Sequence, residues 1–198
     1  MNFLAHAMLS GGDEEVITGN FIADCVKGKA WENYPKRIKT GILLHRSIDE
    51  FTDSHKVNRD SSRLLQPYFG KYSAVVTDVM NDHLLAIEWN KFYHLSLDKF
   101  IDFTYQSILK NEKILPEKSK MMLPYMIQQD WLGSYIHLEG IADVLKRMSK
   151  RTPFESGMEK SLQPLAEHYE ILQKNFQHFF PELIIHSQKK LNILSKHE

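Results

Sequence analysis

The sequence predicts an all-α fold, a single-domain bundle of about eight helices, and three observations carry that prediction. Only 9 glycines and 7 prolines occur in 198 residues, too few for a turn-rich β protein. Long stretches of two-residue apolar alternation are missing, and apolar residues recur instead at helical spacing between capping residues. After a short N-terminal helix, Asp13 caps a second one that opens with Glu14 and Glu15 and ends at Lys27 before Gly28. Pro35 suits a first turn, and Ile38, Ile42, Leu44, Ile48 and Phe51 mark a long amphipathic helix ending near Ser54. A short helix is expected around Arg63. Ser73 precedes another from Ala74 to about Tyr93, and Ser96 or Asp98 a further one to about Leu109. Pro116 marks a loop. The pattern resumes at Lys120 through Trp131, Tyr135, Ile141 and Leu145, and a polar break at Ser149 to Pro153 leads into a last helical pair separated by Pro181.

Hydrophobic residues make up 42% of the chain and charged ones 25%, with a mean hydropathy of -0.39, which excludes intrinsic disorder. Lys+Arg and Asp+Glu stand at 25 each, so no net field draws the molecule to nucleic acid or an anionic membrane. No apolar run reaches the roughly eighteen residues of a bilayer span. The apolar opening from Met1 to Leu9 is short, lacks a basic leader and carries Asn2 and His6, so a cytoplasmic protein is expected. Cys25 is the single cysteine, which excludes an internal disulfide and a Cys-rich zinc site. Any metal must be held by His, Asp and Glu.

Carboxylates fall where apolar residues belong. In the helix after Ser73, Asp78 and Asp82 lie about 40° apart, on the side of Val75, Val79, Leu85, Ala86 and Trp89. Asp24 shares a face with Ile17 and Phe21, and His45, Asp49 and Asp53 form one stripe with Ile38 and Ile42. A buried ionised carboxylate costs several kcal/mol unless it meets a cation. Each acid alone is explained by pairing with Arg46, Arg59 or Arg63, or by capping a helix. Their recurrence on three helices, with His6 and His83 nearby, points to a metal or catalytic cluster; oxygen and imidazole donors without thiolate suit Mn, Fe, Zn or Mg. His55, at the end of its helix, reads as structural or surface. His94, His137, His168, His178, His186 and His197 show no such grouping. Gly11-Gly12-Asp13-Glu14 matches a cyclase signature but lacks the surrounding strands, and Cys25 has apolar neighbours that suit a buried thiol.

With these residues in hand, the chain resembles the acyl carrier protein phosphodiesterase family nearly end to end. Met1-Asn2-Phe3-Leu4-Ala5-His6, Gly19-Asn20 with Ala23-Asp24 and Gly28, and Gly41-Ile42 through His45-Arg46, Ile48-Asp49 and Thr52-Asp53 carry the resemblance. Asp78-Val79-Met80 with Asp82-His83-Leu84 continue it, and Trp131, Tyr135, Arg151, Pro153, His168-Tyr169 and Phe176 extend it more loosely. The resemblance implies hydrolysis of the phosphodiester that joins 4'-phosphopantetheine to a serine of holo acyl carrier protein, with a divalent ion, usually manganese. It also implies an all-helical relative of the HD phosphohydrolases, although no His here is followed by Asp and the one adjacency is the reversed Asp82-His83.

Asp24, His6, His45, Asp78 and Asp82 are the expected metal ligands. Among the catalytic candidates, Asp24 serves the ion, His83 or Asp49 orients water or protonates the leaving serine, and Arg46 binds the phosphate. The implied protein substrate is strongly acidic, so a basic docking face is expected, made by Lys27, Lys29, Lys36, Arg37 and Lys39 or by Arg59 and Arg63. A phosphohydrolase acting on a nucleotide or other small phosphoester, and a non-enzymatic helical module that binds acyl carrier protein, are the alternatives. The oligomeric state is open: Leu183 to Ile185 either covers a dimer contact or closes the core.

Overall fold

A computed structural model describes residues 1–196, so His197 lies outside the described residues. Among these the chain is all-α, without a strand, in eleven α-helices rather than about eight. They are α1 (Phe3–Met8), α2 (Glu14–Ile22), α3 (Lys36–Ser54), α4 (Lys56–Phe69), α5 (Ser73–Ile87) and α6 (Leu97–Lys110), followed by α7 (Glu117–Gln128), α8 (Trp131–Ser134), α9 (Leu138–Ser149), α10 (Leu162–Glu167) and α11 (Tyr169–Lys196). The expected kinship with HD phosphohydrolases rests on the resemblance alone.

Local chemistry explains where the boundaries differ from expectation. Asp13 does cap α2, accepting from the backbone N–H groups of Glu15 and Val16, but α2 stops at Ile22 instead of Lys27. The backbone tightens into a 3-10 turn over Ala23–Cys25 and becomes extended at Val26. Around Arg63 the helix is long, not short, because Asn58 and Ser61 share its buried stripe with Leu65 and Phe69 and mask the apolar period. α5 ends at Ile87, short of Tyr93; the Trp89 indole N–H then donates to the Leu95 carbonyl at 2.7 Å and anchors the turn. Asp130, in the left-handed region at φ 41°, breaks the stretch after Lys120 into α7, α8 and α9.

Pro181 does not separate two helices but lies inside the 28-residue α11. A mid-helix proline costs about 3 kcal/mol. Leu172, Phe176, Phe179, Phe180 and Leu183 form one buried stripe across it, and their packing outweighs that cost. Leu183 closes the core while Ile185 is exposed.

The contact that positions the functional residues is the crossing of α2 and α3 at Gly19 and Gly41. A Cβ on Gly19 would collide with the Ile38 carbonyl, and one on Gly41 with the Val16 carbonyl. Only glycine lets the two backbones approach so closely, and the approach sets Asn20 against His45. Gly41→Ala is expected to cost about 2–3 kcal/mol by overpacking, read as a fall of several degrees in melting temperature.

Candidate metal centre

The members of the site come from three pieces of chain: His6 from α1, Asp24 from the turn after α2, and His45 and Asp49 from successive turns of α3. His45 Nε2 lies 3.0 Å from Asp49 Oδ2 and 3.3 Å from Asp24 Oδ1, and His6 Nε2 lies 3.2 Å from Asp49 Oδ1. The two imidazoles stack with centroids 4.1 Å apart. His6, His45 and Asp49 each offer a ligand atom within 4.8 Å of the others, so this trio could hold a metal ion. A small pocket of about 30 Å³ opens beside His6 and His45, lined among others by Asn2, Phe3, Asn20, Asp24 and Met126.

The imidazoles are held differently. Asn20 donates its side-chain N–H to the His6 carbonyl at 2.9 Å and to Ser10 Oγ at 3.1 Å, which turns its carbonyl oxygen toward His45 Nδ1 at 2.9 Å. His45 Nδ1 therefore carries a proton and donates it, leaving Nε2 as the atom that faces the carboxylates. Neither ring nitrogen of buried His6 has a hydrogen-bond partner, because the 3.2 Å approach to Asp49 is off-angle. A buried polar atom without a partner costs about 1–3 kcal/mol. An ion ligated by His6 would remove that cost, and two imidazoles beside carboxylates are a donor set that fits one.

Electrostatics divide the pair. Burial opposes charge on His45, but the hydrogen bonds and negative charge of Asp24 and Asp49 outweigh it and push the group up to about 9. Burial pulls His6 down to about 4, reinforced by the positive charge of His45. Burial opposes ionisation of Asp49, yet its two imidazole partners hold it well below the usual carboxylate range; the hydrogen bond from His45 likewise lowers Asp24. For the metal-free protein, stability from His45 is complete below its unfolded value of 6.5 and fades as pH rises from there through about 9. The depressed His6 acts oppositely, its contribution being present above 6.5 and lost as pH falls toward 4. Denaturant titrations in chelator should show the loss between pH 6.5 and 9, and His45→Gln should flatten it.

Not all the expected residues meet here. Asp24 does, although the turn carries it to the rim, where its side chain is 76% exposed, instead of onto a buried helical face. Asp53 is exposed outside the trio. Asp78 pairs with the α-ammonium of Met1 at 2.9 Å. Asp82 is fully buried and accepts from the backbone N–H groups of Leu4 at 2.7 Å, Asn2 at 3.2 Å and Ala5 at 3.4 Å. It caps α1 and lies outside the ligand trio. Burial pushes its carboxyl up to about 7 against the Met1 ammonium and those three N–H groups.

His83 also stands apart. Its Nδ1 is 2.7 Å from the Tyr135 carbonyl and its Nε2 3.0 Å from the Tyr169 hydroxyl, so both nitrogens are engaged. Arg46 donates through Nη2 to the carbonyls of Val26 and Gly28, which fixes the turn after Asp24. None of Asp24, Asp49, Asp78 and Asp82 pairs with an arginine within ion-pair distance among the described residues.

The basic candidates are scattered. Lys27 and Lys29 are exposed around Gly28, Lys36 and Lys39 sit in the first turn of α3, and Arg37 is tied to Asp13 at 2.8 Å and to Ser195. Arg59 lines a different groove with Arg63, and Arg63 pairs with Asp60. Among the ungrouped histidines, His186 Nε2 lies 2.9 Å from Ser47 Oγ and His168 Nε2 lies 3.1 Å from the Tyr68 hydroxyl. His55 meets Glu182, a structural role, and Cys25 Sγ takes a hydrogen bond from Ser119. Asn20 was not among the expected site residues; an amide on the buried face of a helix, beside Gly19, was the signal for it.

Fold and site together define an all-α protein with a His, His and carboxylate cluster, open to a pocket, of a composition that could bind a divalent ion. The acyl carrier protein phosphodiesterase family model matches residues 1–183, and the chain belongs to that family. Relatives carrying the name acyl carrier protein phosphodiesterase include those of Pectobacterium atrosepticum, 34% identical over 93% of this chain and 96% of its own length, and Photorhabdus laumondii, 31% identical over 96% of each. That of Yersinia pestis is 30% identical over 96% of this chain and 99% of its own length. No solved structure matches the chain. No helix among the described residues is long and apolar enough to cross a membrane.

Proposed function

We propose that this protein is a metal-dependent phosphodiesterase that hydrolyses 4'-phosphopantetheine from the serine of holo acyl carrier protein, with His6, His45 and Asp49 holding a divalent ion, manganese by preference. The observation that carries the reading is the trio itself: two imidazoles and a carboxylate bring ligand atoms within 4.8 Å of one another, both imidazoles line a pocket, and one of them is locked by Asn20 with Nε2 facing the carboxylates. Membership of the family supports the substrate. The lack of arginine partners for the acids weighs against a module that only binds carrier protein.

A bound divalent ion lowers the pKa of water and offsets charge on the phosphate oxygens. His45 contributes Nε2, and must give up the proton that Asp24 and Asp49 otherwise stabilise there, so binding is expected to release a proton and tighten as pH rises. His6 contributes a nitrogen that makes no well-formed hydrogen bond, its nearest acceptor being Asp49 at 3.2 Å. Asp24, held ionised at the rim, orients the attacking water and accepts its proton. As the water oxygen bonds to phosphorus, the phosphorus–serine oxygen bond breaks and that proton passes to the serine oxygen, giving apo carrier protein and 4'-phosphopantetheine.

Incubating the protein with holo acyl carrier protein, with manganese or with chelator, and weighing the products by intact mass spectrometry tests this directly. Loss of the phosphopantetheine mass with manganese alone is expected; no loss with the folded, metal-loaded protein would overturn it. Asn20→Leu removes the acceptor for His45 Nδ1 and should weaken manganese binding by about 10–100-fold, while Asn20→Asp, which keeps an acceptor there, should lose less. Titration calorimetry with manganese reads both.

A further inference from the structure

A basic surface other than the expected patches near Gly28 and on α4 adjoins the candidate metal centre. A groove of about 210 Å³ between α7, α8 and α9 shares Asn2, Phe3 and Asp24 with the pocket beside His6 and His45, so the two adjoin at the rim. Lys118, Arg147 and Arg151 line it, and each also lines the open depression beside it, where Met121, Tyr125 and Trp131 lie. Among the described residues none of the three cations has a carboxylate within ion-pair distance, which they share with Lys27 and Lys29; what sets them apart is that they line a groove reaching Asp24. Arg147 instead lies over the Trp131 ring, 5.7 Å from its centroid. Met121 is 66% exposed and Tyr125 60%, large apolar groups presented to solvent from the same helix as Lys118.

Three cations without acidic partners, set around exposed thioether and aromatic groups, complement an acidic protein surface that carries apolar side chains of its own. We propose that the α7–α9 face, through Lys118, Met121, Tyr125, Trp131, Arg147 and Arg151, is the docking surface for acyl carrier protein, seating it so that its modified serine reaches Asp24 and the metal centre. The partner's identity rests on the proposed function; the location and chemistry of the surface do not. The cations steer an acidic partner in at long range, and the apolar groups hold it once water has left the interface.

The test is binding of apo acyl carrier protein, which has no bond to cleave, to the full-length protein by surface plasmon resonance at two salt concentrations. Arg147→Glu with Arg151→Glu is expected to weaken binding by at least about tenfold and to reduce its salt dependence. Met121→Ser with Tyr125→Ser should weaken it while leaving the salt dependence in place. Met121, Tyr125 and Arg151 are exposed and Arg147 is half-buried against Trp131, and circular dichroism checks that the helices persist. Unchanged affinity in both double variants, a loss confined to Lys27→Glu with Lys29→Glu, or no binding by the folded wild-type protein would each overturn the proposal. Holo carrier protein that binds through this face but is not cleaved would instead overturn the phosphodiesterase reading alone.

Discussion

Asp49→Asn is expected to lower metal-dependent cleavage of holo acyl carrier protein by at least about a thousandfold, with manganese content falling in parallel. Asp49 lies within 3.2 Å of both imidazoles, bridging His6 and His45 through its two oxygens. An amide in its place keeps the shape but loses the negative charge that balances an ion. It also turns an N–H toward one of two ring nitrogens that should face the metal. The same substitution removes a main reason that His45 holds its proton, so the His45 value should fall from about 9 toward 6.5. An NMR titration of the metal-free variant reads that fall independently of activity. If Asp49→Asn retained wild-type turnover and manganese content, the trio would not be the metal centre. Asp24→Asn should be milder in metal content but severe in turnover, because Asp24 stands at the rim, 3.3 Å from His45.

The helical fold was legible because its signals are local: the spacing of Ile38, Ile42, Leu44 and Ile48 and the cap at Asp13 sit within a few turns of the bonds they describe. Boundaries failed where distant packing decides them. Pro181 reads as a break until the aromatic stripe from Leu172 to Leu183 is known to be buried on both sides of it. The site was half legible for the same reason. Acids on apolar faces announced that something compensates them, but four acids found three different kinds of partner. Asp49 and Asp24 found imidazoles, Asp78 an ammonium, and Asp82 the backbone of α1. Helical phase tells which way a carboxylate points on its own helix, not which element is packed against it. Asn20 was missed because an amide carries no charge to look anomalous, although its three hydrogen bonds organise both histidines and Ser10. The docking face was missed because Lys118, Arg147 and Arg151 are apart in sequence and meet only when α7 and α9 fold together.

Asp82→Ala is expected to be the most destabilising single substitution in the neighbourhood of the site, by about 4 kcal/mol, or on the order of 10 °C in melting temperature. Three backbone N–H groups converge on this fully buried carboxylate, and alanine would leave them without an acceptor in a place that water does not reach. Those of Leu4 and Ala5 belong to the first turn of a helix only six residues long, and that of Asn2 to the residue just before it. That helix carries His6, so the loss should propagate to manganese affinity although Asp82 lies outside the trio. Asp82→Asn keeps one carbonyl acceptor and should fall between the two. The pH dependence separates a capping role from a ligand role. Because burial raises Asp82 to about 7, the folded protein binds more protons here than the unfolded chain does between 3.8 and 7. Its contribution is therefore largest in acid and declines as pH rises across that range. The stability difference between wild type and Asp82→Ala, measured by urea denaturation in chelator, should be larger at pH 5 than at pH 8. A ligand that required the ionised form would instead show its effect only with metal present, and would strengthen as pH rose.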